Sequence, residues 1–227
     1  SFSAAFVKLP QSATAKKVTS NGLYISHLYQ PLVYTIITYR IFRVNEFCNI
    51  LELRKAVIKM VKKLIAFYSR ADENYFNGTL KTLKVGNTEI AADIIEELTG
   101  ADMFKIEQLK PYSKGYNACI EEAKADQQRN ARPELKSYPD TVSNYDVIYL
   151  GFPNYWSTMP MAVFTFLEHF NFDGKIIKPF CTHEGSGMGR SVADIKKLCP
   201  GATVENGLAI HGGSVNQSKK DIEEWVK

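Results

Sequence analysis

The chain has no methionine before Met60, no Cys-x-x-Cys pair and no long uncharged apolar run. Its four cysteines, Cys48, Cys119, Cys181 and Cys199, are widely spaced, and no histidine stands where it would complete a zinc site. No metal is therefore expected, and free thiols in a reducing cytoplasm are. The longest apolar-rich run, 31–44, carries Arg40 and Arg43 and falls short of the roughly 20 residues of a membrane span. Internal repeats and low-complexity tracts are missing too. The glycines of Gly185-Ser186-Gly187-Met188-Gly189 are spaced G-x-G-x-G, which is not the dinucleotide fingerprint, and Ser186 lacks the glycine two positions earlier that a nucleophile elbow requires.

Positive charge is present but concentrated. Residues 1–60 hold eight Lys or Arg against Glu46 and Glu52, a local balance of +6 that leaves −2 for the remainder of a chain whose net charge is +4. The part after Met60 is thus mildly acidic, which argues against a nucleic-acid-binding face. Met60 stands directly before a strand-like run and reads as a natural initiator. Residues 1–59 are then expected to be a basic N-terminal extension foreign to the native chain, with a targeting or interaction arm as the alternative. Residues 60–227 form the expected domain.

From Met60 onward strand-like and helix-like stretches alternate, as they do in a parallel sheet covered on both faces. Strands are expected at Lys62–Tyr68, Asp102–Gln108, Tyr145–Phe152, Lys175–Thr182 and Thr203–Ile210. Helices are expected at Thr88–Leu98, Tyr116–Gln128, Met159–His169, Ser191–Leu198 and from Ser218. The fold class is α/β, a doubly wound five-stranded parallel sheet. Gly100 suits the end of the first helix, and Pro111 and Pro133 fall in connections.

In such a sheet, ligands bind where the carboxyl ends of neighbouring strands open into one crevice. Three loops meet that condition. The first begins at Ser69-Arg70-Ala71 and reaches a helix start at Gly86-Asn87-Thr88, where backbone N–H groups can hold an anion. The second, Pro153-Asn154-Tyr155-Trp156-Ser157-Thr158, supplies two rings; adjacent side chains of an extended segment point to opposite sides, so at least one ring is expected at the rim. The third, Thr182-His183-Glu184-Gly185-Ser186-Gly187, combines hydrogen-bonding side chains with glycines that let backbone approach a ligand closely. The bland readings are, in turn, a turn with a helix cap, rings that cap the core, and a glycine-rich connection.

Together these residues resemble the flavodoxin-like FMN-binding family, in particular a bacterial branch with an insertion in the phosphate loop. The resemblance runs from Met60 to Lys227 and is carried most specifically by Gly151–Pro160 and Thr182–Gly187. It implies strand order 2-1-3-4-5 and FMN as cofactor. Ser69, Arg70, Ala71, Asn87 and Thr88 would hold the phosphate. Pro153, Asn154, Tyr155, Trp156, Ser157 and Thr158 would flank the chain and ring, and Thr182, His183, Glu184, Gly185 and Gly187 would line the other side. The compact phosphate loop of the family is split here by Tyr75–Val85. The implied role is electron transfer with a redox partner protein or a small-molecule acceptor. An NAD(P)H-dependent quinone or nitro-compound reductase, with His183 or Tyr155 as proton source, is the enzymatic alternative, and a binding module without flavin is the other.

Overall fold

The computed structural model describes residues 61–227; the expectations for residues 1–59 and for Met60 lie outside the described residues. The chain divides into two units, 1–59 and 60–227, and all that follows concerns the second.

Its centre is β5 (Val147–Pro153), buried along nearly its whole length, as a strand covered on both faces must be. β1 (Lys63–Phe67) lies parallel on one side, in register Leu64 with Ile148 and Phe67 with Gly151, and β4 (Asp102–Lys105) lies outside β1. On the other side β6 (Ile176–His183) runs parallel, with Pro153 opposite Thr182. Successive side chains point to opposite faces, and they separate into two cores. Leu64, Ala66, Ile148, Leu150 and Phe152 pack with α3 (Met161–His169) and α4 (Ser191–Leu198), while Ile65, Phe67 and Tyr149 pack with α1 (Asn87–Thr99) and α5 (Lys219–Val226). α2 (Tyr116–Gln128) connects β4 to the central strand through a long loop.

The order β4-β1-β5-β6 reproduces the expected 2-1-3-4, but the edge differs from a single fifth strand. β7 (Thr203–Val204) and β8 (Leu208–His211) both pair with β6, making a six-stranded sheet. Val204 faces Ile177 and Leu208 faces Phe180, so three edge residues stand against two on β6. That surplus residue is a bulge, and it falls opposite Pro179, which has no N–H to offer a ladder.

A second difference lies at 72–83, where no strand is expected: an antiparallel hairpin outside the main sheet, β2 (Asp72–Phe76) and β3 (Thr79–Leu83), takes in most of Tyr75–Val85. Asn77 and Gly78 have φ of 50° and 85°, the positive pair of a two-residue turn that suits hairpin twist and that Asn-Gly favours. Arg70 clamps the base by donating to the carbonyls of Glu73, Ser113 and Lys114 and to Asn74 Oδ1. At the tip, Asn77 N–H donates to Glu184 Oε2 at 3.0 Å.

Candidate functional site

The carboxyl ends of β1, β5 and β6 open on one rim, as the parallel register requires. A cleft of ≈ 290 Å³ lies there, and the hairpin forms part of its wall.

Helix α1 starts at this rim. Its N-cap is Gly86, which offers no side-chain cap; the hydroxyl of Ser69 instead accepts the N–H of Glu89 at 3.1 Å. Ser69 is thereby a helix cap supplied from the end of β1. The N–H groups of Asn87 and Thr88 precede any intrahelical partner and, with the helix dipole, make this end of the cleft attractive to an anion. Thr88 Oγ1 lies 2.7 Å from Thr182 Oγ1, both residues being buried, so one hydroxyl pair ties α1 to β6.

The β5 loop closes as a tight turn. Tyr155 and Thr158 exchange backbone hydrogen bonds, and Trp156 and Ser157 between them have φ of 52° and 67°. Left-handed geometry at two residues with side chains costs about 1–3 kcal/mol each and persists only where surroundings over-determine it. Here they do. Asn154 Oδ1 accepts Ser157 N–H at 3.0 Å, Asn154 Nδ2 donates to Gly187 O at 2.7 Å, and Arg190 N–H donates to Ser157 O at 2.8 Å. Gly189 permits that last approach, since a Cβ there would collide with Ser157 O. The aromatic and glycine-rich loops are strapped into one rigid unit.

The turn sends its two rings in different directions. Tyr155 lines the cleft, edge-on to Tyr68 with centroids 6.2 Å apart and with its hydroxyl 3.8 Å from Cys119 Sγ. Burial pushes its hydroxyl well above the usual phenol range, as it does, in the same direction, the Cys119 thiol. Trp156 turns out onto α2, 39% exposed, its Nε1 donating to Ile120 O at 2.9 Å and Lys124 Nζ lying 4.8 Å from its ring centroid.

On the far wall, Gly185 N–H donates to His183 Nδ1 at 2.9 Å. Burial, helped by His211 and opposed by Glu184, pulls His183 below the usual imidazole range. The neutral ring therefore carries its proton on Nε2. Beside it, Glu184 Oε2 is 3.6 Å from His211 Nε2, while Glu184 Oε1 is buried with no hydrogen-bond partner. Gly212 backs this spot: a Cβ there would meet both Glu184 Oε1 and Asn87 Nδ2.

Of the residues expected at the site, the cleft brings together Arg70, Asn87, Thr88, Pro153, Asn154 and Tyr155 with Thr182, His183 and Glu184. Seven others stand apart from its lining. Ser69 and Ala71 border a neighbouring hollow, and Trp156 faces α2. Thr158 is buried and donates to Asp194, Ser157 is an exposed turn residue, and Gly185 and Gly187 shape the loop behind the wall. Ser186, a hydrogen-bonding residue of the third loop, lines it as well, and four residues join that the sequence reading missed: Asn74, Tyr75, Leu83 and Tyr116. The Asn77-Gly78 dipeptide, a turn signal that the sequence reading passed over, is the feature from which the first three could have been found. Among the described residues no cluster of metal-ligating side chains occurs, and no helix is long and apolar enough to cross a membrane.

Comparison with known proteins agrees with the fold. A sequence model of the family described as Flavodoxin matches residues 80–227. A candidate flavoprotein from Bacteroides uniformis ATCC 8492 is 25% identical over 74% of this chain and 99% of its own, with a TM-score of 0.58. Another, from Bacteroides eggerthii DSM 20697, is 25% identical over 71% of this chain and 97% of its own, at TM-score 0.55. A flavoprotein from Lactobacillus acidophilus NCFM, solved in complex with FMN, shares the fold at 20% identity and TM-score 0.50, over 74% of this chain and 99% of its own. Among curated proteins, none matches.

Proposed function

Because the chain belongs to the flavodoxin family, we propose that its cleft binds FMN and that the protein passes electrons to a redox partner protein or a small-molecule acceptor. The cleft itself carries the reading: an anion-attracting helix start, an unpartnered buried acceptor and aromatic rings share one crevice at the strand ends. The chemistry of the group fits these residues part by part. Asn87 and Thr88 would take the phosphate. Glu184 Oε1, an acceptor only, suits hydroxyls of the ribityl chain rather than the phosphate, and tyrosines suit a planar ring. Arg70 spends two bonds on the hairpin base and two on the carbonyls of Ser113 and Lys114, so the phosphate would rest chiefly on neutral donors. We assign this binding to the unit 60–227, and the three buried cysteines without disulfides, Cys119, Cys181 and Cys199, favour a reducing, cytoplasmic setting.

When bound, FMN supplies the redox chemistry; the protein contributes position, dryness and electrostatics. The strapped β5 and β6 loops hold the rim in one geometry, so little ordering is left for the moment of binding. Tyr155, which lines the cleft, and its neighbours Tyr68 and Cys119 keep their protons, so this part of the wall adds no charge of its own and disfavours added negative charge.

The reductase alternative would draw on His183, which lines the cleft; as a neutral ring it has an Nε2–H hydrogen bond to offer, and only its protonated fraction would serve as a proton donor. Purified protein is expected to show flavin absorption bands or to acquire them with added FMN. Stopped-flow mixing with NAD(P)H then separates the readings, since direct bleaching supports the reductase and bleaching only through a partner reductase supports the carrier. Protein that stays colourless with FMN added would leave a binding module.

A further inference from the structure

The hairpin β2–β3 is held at both ends and puts an aromatic ring on the cleft. Glu73 accepts the N–H of Tyr116 at 2.8 Å, capping α2 from the hairpin. The same contact sets Tyr75 against Tyr116, ring centroids 6.1 Å apart and planes inclined by 30°. Both rings line the cleft, as Tyr155 does, while Trp156 is committed to Ile120 and Lys124 on α2. Tyr75 is 42% exposed, a large apolar surface left bare on a strand paired along its length with β3.

We propose that Tyr75 and Tyr116, a pair assembled by the hairpin, are ring-binding residues for the planar ligand of the cleft, and that Trp156 is not. The inference rests on the flavin reading. A ring pair inclined by 30° can open its face to a third ring by small side-chain rotations, whereas freeing Trp156 requires breaking its Nε1 bond to Ile120 and its contact with Lys124. The hairpin thereby does more than interrupt a phosphate loop: it carries part of the wall that recognises the ring.

The test is titration of the full-length protein with FMN, following quenching of flavin fluorescence, for wild type, Tyr75→Ala, Tyr116→Ala, Trp156→Ala, Tyr75→Phe and Tyr116→Phe. Each tyrosine-to-alanine change is expected to weaken binding by about five- to tenfold and to leave bound flavin brighter, as loss of one aromatic contact implies. The phenylalanine variants are expected to stay within about twofold of wild type, as is Trp156→Ala. Circular dichroism checks the fold, and Tyr75, exposed and outside the main sheet, keeps the test open if Tyr116→Ala does not fold. Phenylalanine variants as weak as the alanine ones, or a weak Trp156→Ala beside unaffected tyrosine variants, would overturn the assignment while leaving flavin binding intact. Wild-type protein that neither quenches nor binds FMN overturns the flavin reading and this assignment with it.

Discussion

His183 shows how one residue's surroundings translate into a measurable property. Its imidazole is harder to protonate in the folded chain than in the unfolded one, first because it is buried and second because His211 lies near, with Glu184 pulling the other way. Between the lowered value and the ordinary 6.5, the unfolded chain binds more protons than the folded one, so stability rises with pH across that window. Stability on this account is intact above 6.5 and declines as the pH falls below it. His183→Asn is expected to flatten this part of the curve, read as urea midpoints between about pH 5 and 7.5; parallel curves for the two proteins would refute it. The residue types at 182–187 were visible in the sequence as a hydrogen-bonding, glycine-rich loop. The pairing of Thr182 with Thr88 and of Glu184 with the hairpin tip was not, because each joins atoms about a hundred positions apart.

At the scale of elements, the hairpin is the part that most changes the picture of the site. It has its own turn chemistry and its own clamp, and it lends a cap to α2. Glu73→Ala is expected to destabilise the protein by about 1 kcal/mol through loss of that cap, visible as a lower urea midpoint at unchanged slope; an unshifted midpoint would show that the Tyr116 N–H finds water instead. The segments 116–128 and 191–198 were legible to the residue, since polar, glycine- or proline-marked connections flank them and their composition favours helix. The hairpin was hidden because Asp-Glu-Asn-Tyr-Phe alone has no strand-like alternation. It becomes a strand by pairing with Thr79–Leu83 and by the grip of Arg70. The split of the last strand was equally hidden, since the bulge that divides it depends on which residues of β6 lie opposite.

For the whole molecule, charge and architecture assign different things to the two units. The basic balance belongs to residues 1–60, while the unit from Met60 on is mildly acidic and supplies the cleft lining seen among the described residues. A chain of residues 60–227 is expected to match the full-length protein in thermal midpoint and FMN affinity; a tenfold weaker affinity would instead give the first 59 residues a share in binding. The sequence by itself determined the α/β alternation and the three loops that would share a rim, because burial on both faces writes continuous apolar runs and strand ends must be punctuated by turn residues; the order of the strands came only with the family resemblance. Only the tertiary structure decided which side chains face the ligand. Within Asn154–Thr158 the left-handed turn aims Tyr155 inward and Trp156 outward, and that direction is set by bonds from Gly187, Arg190 and Ile120, residues that no local pattern connects to the loop.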